Sequence, residues 1–349
     1  MKLTRRAVIY IGYACNLNCR FCYYKYKTKK RWKPLSLVKF EAFIYRYVFG
    51  NIKVDITGGE PTIYPHIIEF VKYCKAIGLR PTLITNGIVL ANKKKVKKLK
   101  SAGVFDYLIS VHGIGKVYDY LVDLPNAFKA QKKGIENLIT EGINIRVNVT
   151  INNLNTPQLP KIAEYAIKKN VKVVNFICFN PFYEWEKIYG IDFQEKHSII
   201  APYLVKAIKK LGRHKIEANV RYYPICFLKG LEKHQYNYSQ LPYDSHEWDF
   251  MSWFKRKSPR YNLFFFFNKF RLRKYHQAPK KYYMEQSLIV KKRNYKKEKK
   301  CLNCSLTTIC DGPTKQYYHR FGDSEMRPYK GEKITDPTHF IKKQFKVKD

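Results

Sequence analysis

Short apolar runs alternate with amphipathic, lysine-faced segments along the first half of the chain. Each run is rich in β-branched and aromatic residues and has the length of a strand, whereas the apolar residues between runs recur at helical spacing. The predicted strands are Ala7–Tyr13, Asn51–Thr57, Arg80–Asn86, Phe105–His112, Ile143–Ile151 and Val171–Phe179. The clearest predicted helices are Pro65–Gly78, Asn92–Gly103 and Thr156–Asn170. Six strand–helix units in a row predict an α/β fold with a parallel sheet, either an open doubly wound sheet or a full or partial barrel.

Distinctive motifs follow the predicted strands. Three cysteines follow the first strand, "TGGEPT" the second, "TNG" the third, "SVHG" the fourth and "FNPF" the sixth. Turn residues are common after any strand, but one coincidence repeated across five loops is a poor explanation. Since the carboxyl ends of parallel strands meet at one edge, we expect these motifs to form a single site.

The first motif, "YACNLNCRFCYY", places Cys15, Cys19 and Cys22 within eight residues. A four-iron cluster needs one protein ligand for each iron, so three thiolates leave one iron open to an exogenous ligand. Zinc is the alternative, but a tetrahedral zinc site needs a fourth ligand, and neither Cys nor His occurs between Cys22 and His66.

Composition and charge bound the setting. The 349 residues, 45% of them hydrophobic, suit one large globular domain or one domain with an appendage. The net charge of +40 predicts attraction to polyanions such as RNA or an anionic membrane, although compositional bias or thermophily also yields such a chain. The apolar start of the chain is interpreted as a buried strand and not as a secretory signal. Nine cysteines without such a signal indicate a reducing, cytoplasmic interior.

The C-x3-C-x2-C spacing, with the aromatic Tyr23 after the last cysteine and "GGEP" after the second strand, resembles the radical S-adenosylmethionine (SAM) superfamily. The resemblance covers about Val8 to Pro181 and implies the partial (β/α)6 barrel of that family. It also implies that the methionine part of SAM chelates the open iron of a [4Fe–4S] cluster. An electron from the cluster then yields a 5′-deoxyadenosyl radical, which takes a hydrogen from substrate.

The resemblance also implies a set of SAM contacts. Gly58 and Gly59 would let the backbone approach the methionine amino group, and Glu60 would supply negative charge beside it. The other implied contacts are Thr85 and Asn86 at the methionine carboxylate, Ser110 and His112 at the ribose, Asn148 beside the sugar and the backbone of Phe21 at adenine. For the residues at the ribose and sugar, capping or bridging of strand ends is the alternative role.

A second cysteine set occurs far downstream in "KCLNCSLTTICDGP". The spacing of Cys301, Cys304 and Cys310, followed by Asp-Gly, resembles the auxiliary-cluster segment of the SPASM and twitch subfamilies. With Cys226 as the fourth ligand, the set fits one fully ligated auxiliary [4Fe–4S] cluster, and a zinc knuckle is the alternative. We therefore expect a barrel over residues 1–212 and a twitch-like or SPASM-like domain over 213–349.

Two cysteines lie outside both sets. Cys74 falls on the apolar stripe of a predicted helix and is assigned to the packed core. Cys178 lies near the end of the sixth strand. It is assigned to the core as well, and the alternative is that it faces the barrel interior and the substrate.

The second domain carries a basic aromatic insert at about residues 250–300. From Trp253 to Lys300, seventeen Lys or Arg accompany only two acids, and Phe264–Phe267 form an uninterrupted aromatic run. Such a segment is typical of an element that inserts aromatics into an anionic membrane interface. RNA binding and packing on the barrel flank are the alternatives. The acids just before it, Asp244, Glu247 and Asp249, are candidates for polar contacts near the active-site mouth.

Together these features predict a radical SAM enzyme that receives electrons from an external flavodoxin- or ferredoxin-like donor. The insert favours a lipid or lipid-linked substrate, and therefore a cytoplasmic protein that is peripheral at the inner face of the membrane. The alternatives are a maturase of ribosomal peptides, an RNA-modifying radical SAM enzyme, and a non-catalytic RNA- or membrane-binding protein with a vestigial barrel.

Overall fold

A computed structural model describes residues 6–22, 24, 31–181, 192–242 and 278–347 of the chain. Several features predicted from sequence lie outside these residues, namely Tyr23, the acids at 244–249 and the phenylalanine run at 264–267.

Eight parallel strands form one sheet in which each strand pairs with the next along the chain. They are β1 (Arg6–Tyr10), β2 (Lys53–Thr57), β3 (Arg80–Thr85), β4 (Asp106–Ser110), β5 (Ile145–Ile151), β6 (Val173–Cys178), β7 (Glu217–Arg221) and β8 (Gln235–Tyr236). Within the described residues β1 and β8 do not pair, so the sheet is an open, curled half-barrel. The predicted α/β partial barrel is confirmed, and all six predicted strands are present. The structure adds β7 and β8, which continue the sheet beyond residue 212.

Helices connect the strands and cover the outer face of the sheet. Those of the barrel are α1 (Leu35–Phe43), α2 (Ile67–Ala76), α3 (Lys93–Ala102), α4 (Lys116–Val122), α5 (Ala127–Thr140), α6 (Leu159–Lys168) and α7 (His197–Arg213). Those that follow the sheet are α8 (Ala278–Asn294), α9 (Lys299–Leu302) and α10 (Lys315–Phe321). The buried residues of α6 show why these segments are helical: Leu159, Ile162, Ala163 and Ala166 recur at helical spacing.

Because the strands are parallel, the residues at their carboxyl ends meet at one edge. Thr85 is opposite Ile109 in the register between β3 and β4, and Ser110 is opposite Asn148 between β4 and β5. The loops that follow these strands therefore open toward a common space.

The opposite ends of the first five strands enclose a network of charged side chains. Asp55 accepts a hydrogen bond from Arg6 at 2.6 Å and lies 3.6 Å from Arg146. Asp106 accepts from Arg146 at 2.8 Å and also from Thr82. Burial opposes the charge of Asp106, but Arg146 and Arg6 outweigh burial and hold its pKa below the usual value of 3.8. The network joins five strands through charges that depend on one another.

We predict that Asp106→Ala lowers the free energy of unfolding by about 3 kcal/mol, since the buried Arg146 guanidinium loses its nearer carboxylate and keeps only Asp55, at 3.6 Å. The lowered pKa means that this contribution is present above the unfolded-state pKa and is lost as pH falls below about 4. Urea unfolding followed by circular dichroism at pH 7 and at pH 3 measures both effects.

The matched control is Glu69→Ala, which removes an exposed ion pair with Lys39. It should leave the unfolding free energy unchanged, because exposed pairs contribute little. If the Asp106 variant matched this control, the network would have no part in stability.

Candidate active site

A cavity of about 550 Å³ lies at the carboxyl ends of the strands. Every residue predicted from sequence to hold the first cluster or SAM lines it. These residues are Cys15, Cys19, Phe21, Cys22, Gly58, Gly59, Glu60, Thr85, Asn86, Ser110, His112 and Asn148. The structure thus brings together all five loops that the motif pattern singled out, since Phe179 and Asn180 after β6 also line the cavity.

The "GGE" loop lies directly against the chain that leads into the first cysteine. The N–H of Gly59 donates to the carbonyl of Gly12 and that of Glu60 to the carbonyl of Ala14, both at 2.8 Å. A Cβ on Gly58, which has φ +134°, would lie 2.1 Å from the Gly12 oxygen, and one on Gly59 would lie 1.9 Å from the Ala14 oxygen. The glycines are therefore required by this contact between the two loops, independently of any contact with SAM.

The carboxylate of Glu60 ties the end of β2 to the end of β3. Its Oε1 accepts from the Thr62 N–H at 2.9 Å and from the hydroxyls of Thr62 and Thr85 at 2.5 and 2.6 Å. Its Oε2 accepts from the Asn86 N–H at 2.8 Å. Burial raises the pKa of Glu60, and these hydrogen bonds oppose the shift. In the structure Glu60 orders both loops, and its predicted position beside the amino group of SAM stays a prediction.

Asn86 extends this network to the cysteine loop. Its Nδ2 donates to Asn16 Oδ1 at 2.8 Å and lies 4.0 Å from Cys15 Sγ. The first cysteine is therefore held on one side by the "GGE" loop and on the other by the loop after β3.

Gln131 on α5, which the apolar pattern did not single out, joins the loop after β3 to the end of β4. Its fully buried Nε2 donates to the carbonyls of Asn86 and Ser110 at 2.7 and 2.9 Å and to the Tyr118 hydroxyl at 2.7 Å. A polar residue within the buried stripe of a helix is the signal that could have identified it.

His112 is a neutral imidazole at the cavity wall. Its Nδ1 accepts from the Thr150 N–H at 3.1 Å, which leaves the proton on Nε2, and burial lowers its pKa to about 4. The ring of Phe21 meets it edge to face at 4.8 Å. At physiological pH His112 is thus a hydrogen-bond donor without charge.

Asn148 presents a buried acceptor at the cavity wall. Among the described residues, no hydrogen-bond donor reaches its Oδ1. A buried acceptor without a donor costs free energy, so this atom suits a ligand that brings its own hydroxyl or amino group.

The three cysteines are suitable ligands for an iron–sulfur cluster. Burial raises the pKa of the Cys15 thiol to about 11, so a thiolate there requires a bound cation, and the Tyr24 N–H already donates to Cys22 Sγ at 3.4 Å. No group of three or more Cys, His, Asp or Glu among the described residues is arranged to hold one metal ion. The ligands of a four-iron cluster bind different irons and need not converge on one point.

The four downstream cysteines, Cys226, Cys301, Cys304 and Cys310, line a second, small cavity. Cys226 lies just after β7, so the structure brings together the set that the resemblance implied. Burial raises the pKa of Cys226 to about 12 and that of Cys310 to about 11.

Donors and cations surround this second set. Backbone N–H groups donate to Cys304 Sγ from Leu306 at 3.5 Å and Tyr329 at 3.2 Å, and Gly312 donates to Cys310 Sγ at 3.4 Å. Such bonds to sulfur are the usual surroundings of an iron–sulfur cluster. Three cations also line the cavity, which are Lys297, Lys300 and Arg327, and they would oppose the negative charge of thiolates that bind a cluster.

The two other cysteines occupy different environments. Cys74 is fully buried in the core on α2. Cys178 is also buried, but it lines the 550 Å³ cavity.

Comparison with known proteins agrees with this geometry. Residues 9–166 match the sequence model of the radical SAM superfamily. The chain is 31% identical over 166 residues to Fe-coproporphyrin III synthase of Methanosarcina barkeri, covering 47% of this chain and 41% of that protein. It is 29% identical over 172 residues to the probable GTP 3′,8-cyclase of Methanococcus maripaludis, covering 48% and 57%. The alignments therefore span about half the length of these curated relatives.

Among solved structures, Streptococcus suis SuiB bound to S-adenosylmethionine has a TM-score of 0.52 at 18% identity, covering 63% of this chain and 50% of that chain. This likeness concerns the fold. The match of residues 9–166 to the radical SAM model implies a [4Fe–4S] cluster and SAM as cofactors, and the loops described above supply suitable residues for both. Residues 9–166 therefore form a radical SAM domain, as the spacing of the first three cysteines predicted.

Proposed function

We propose that the protein reductively cleaves SAM and uses the 5′-deoxyadenosyl radical to take a hydrogen atom from its substrate. One observation carries this proposal: three cysteines and every residue implied in SAM binding line the same cavity. Cys15, Cys19 and Cys22 would hold the cluster and leave one iron for the methionine amino and carboxylate groups.

The cluster, when bound, supplies one electron to SAM, which cleaves a carbon–sulfur bond and yields methionine and the 5′-deoxyadenosyl radical. That electron comes from an external flavodoxin- or ferredoxin-like donor. The protein itself would bind and orient SAM: Asn148 Oδ1 accepts from a hydroxyl, and the neutral His112 donates without adding positive charge beside the sulfonium. The buried side chains of Phe21, Phe179 and Cys178 would exclude water from the radical.

The second cysteine set would hold an auxiliary [4Fe–4S] cluster that passes electrons. Four thiolates would occupy all four irons and leave no open position for substrate. Packing also connects the two sites: Tyr222 lines the active-site cavity and stacks on Tyr238 at 5.1 Å, and the Tyr238 N–H donates at 2.6 Å to Asp311, the neighbour of Cys310. These contacts favour electron transfer over substrate binding as the role of the auxiliary site.

For the substrate, we propose a lipid or lipid-linked molecule at an anionic membrane surface. Within the insert, α8 exposes Met284, Leu288 and Ile289, with exposed fractions of 50%, 66% and 53%. Basic residues fill its last turn, at positions 291–293. Exposed apolar residues beside cations suit an interfacial helix. None of the described helices is both long and apolar enough to span a bilayer, so the proposal is contact with the surface. A ribosomal peptide or an RNA is the alternative substrate.

The cluster assignment predicts about eight irons per anaerobically reconstituted chain, as two four-iron clusters. Replacing Cys15, Cys19 and Cys22 by Ala should leave about half of this iron, because the second set is separate and complete. Assays of iron and acid-labile sulfide measure the number of clusters. The variant without these three cysteines should also show no effect of SAM on the electron paramagnetic resonance (EPR) spectrum.

Cys74→Ala is the control, since that thiol is buried in the core on α2 and lines neither cavity. It should keep all the iron. A triple variant with the iron content of the wild type, or a wild-type protein that binds only zinc, would contradict the two-cluster assignment.

The membrane proposal predicts that Met284→Ser, Leu288→Ser and Ile289→Ser, combined in one variant, weaken co-sedimentation with vesicles containing anionic lipid. Every Lys and Arg remains in this variant, so charge attraction persists while the apolar contribution is lost. Replacing the phenylalanines at 264–267 by Ser should act in the same direction, as the sequence of the insert predicts.

Ile139→Ser, at an apolar residue of α5 that is 39% exposed, is the control and should bind vesicles like the wild type. Both insert variants should also keep their iron. Undiminished vesicle binding by both would remove the support for a membrane substrate, and tight, salt-sensitive binding to RNA instead would favour the RNA alternative.

A further inference from the structure

The cysteine loop rests on the carboxyl end of α4, a contact that the proposed function does not use. The N–H of Arg20 donates to the Leu121 carbonyl at 2.9 Å, and the N–H of Asn18 donates to the Val122 carbonyl at 3.3 Å. Carbonyls in the last turn of a helix have no partner within the helix. The loop therefore supplies the donors that α4 lacks, and the helix fixes the position of the loop.

Side chains reinforce this backbone contact on both sides of Cys19. Asp123, which follows α4, accepts from the Arg20 guanidinium at 2.6 Å and from Asn18 Nδ2 at 2.9 Å. Arg20 Nε also donates to the Tyr120 carbonyl at 2.9 Å, and its guanidinium lies 4.4 Å from the centre of the Tyr120 ring. The two residues adjacent to the middle cysteine are thus held by the end of one helix.

Asp123 has an uncommon backbone conformation. Asp123 has φ +57°, a left-handed conformation that favours glycine at the end of a helix. Glycine would suit this backbone better, but it would lack the carboxylate that Arg20 and Asn18 contact. Since the Arg20–Asp123 pair is about one-third exposed, its contribution to overall stability is small. The remaining consequence is geometric: the pair orients the segment that contains Cys19.

The same helix is anchored to the rest of the site on its buried face. Tyr118 packs with Leu17 and Val122 in a small hydrophobic group. Cys15 and Cys19 pack against this group. The Tyr118 hydroxyl accepts from Gln131, which in turn donates to the Asn86 carbonyl. A displacement of the loop on α4 would therefore change the position of Cys19 relative to the loops after β2 and β3.

We propose that Asp123 and Arg20 form a positioning clamp that orients Cys19 and thereby governs how firmly and how uniformly the three-cysteine site holds its cluster. The clamp rests on the proposed function, because it presupposes a cluster at Cys15, Cys19 and Cys22. Some residues orient a metal ligand without binding the metal themselves. Replacing such a residue commonly weakens metal retention by tenfold or more.

The test uses Asp123→Gly, which removes the carboxylate while suiting the left-handed backbone, and Arg20→Lys, which keeps the charge but loses the planar group. Asn126→Gly is the matched control: Asn126 is also left-handed at φ +60°, follows shortly after, and makes no side-chain cap hydrogen bond. All variants are full-length, anaerobically reconstituted proteins. Iron release to a chelator is measured after subtraction of the release from protein lacking Cys15, Cys19 and Cys22.

We expect iron from the three-cysteine site to leave about tenfold faster in Asp123→Gly, with a broadened EPR signal for the SAM-responsive cluster and an unchanged melting temperature. Arg20→Lys should change the release rate and the EPR signal in the same direction. The double variant should release iron no faster than Asp123→Gly, because both substitutions remove the same interaction. Asn126→Gly should behave like the wild type in every measurement.

If Asp123→Gly released iron at the wild-type rate and gave the wild-type EPR spectrum, the clamp would be overturned but the proposed function would not. A fall in melting temperature with equal loss of auxiliary iron would also overturn the clamp, since it would indicate general loosening of the fold. A wild-type protein with no SAM-responsive cluster would instead overturn the proposed function, and the clamp with it.

Discussion

The close contact between two backbones, at Gly58–Gly59 and at Gly12–Ala14, is the constraint on which the rest of the active site depends. Neither glycine has room for a Cβ, and two hydrogen bonds of 2.8 Å join the segments. One segment leads directly into the first cysteine and the other into Glu60. Their contact therefore sets the distance between the cluster loop and the polar network before any cofactor binds.

From that contact a chain of buried hydrogen bonds runs across the sheet edge. Glu60 holds the loop after β3, Asn86 in that loop contacts the cysteine loop, and Gln131 joins it to the end of β4. Hydrogen bonds are strong where water is excluded, and an unpaired buried polar group is costly there. Such a network fixes the cysteine loop and the loops after β2, β3 and β4 relative to one another.

Features that depend on local pattern could be predicted from sequence. The six apolar runs became strands within a few residues of the expected bounds, and parallel topology then required that their motifs meet. Strand β7 was not predicted, because it begins at Glu217 and ends at Arg221 and so lacks an uninterrupted apolar run. Both charged residues are buried in the structure. Contacts such as Arg6–Asp55, Gln131–Asn86 and Arg20–Asp123 join residues far apart in the chain, and periodicity carries no information about them.

The role proposed for Cys15, Cys19 and Cys22 is SAM cleavage. Its most direct test is the amount of 5′-deoxyadenosine formed when dithionite-reduced, iron-loaded protein is incubated with SAM under anaerobic conditions. We expect 5′-deoxyadenosine and methionine even without substrate, and neither product from protein that retains only the auxiliary cluster. Fully loaded, reduced protein that forms no 5′-deoxyadenosine would contradict this role and favour a vestigial barrel.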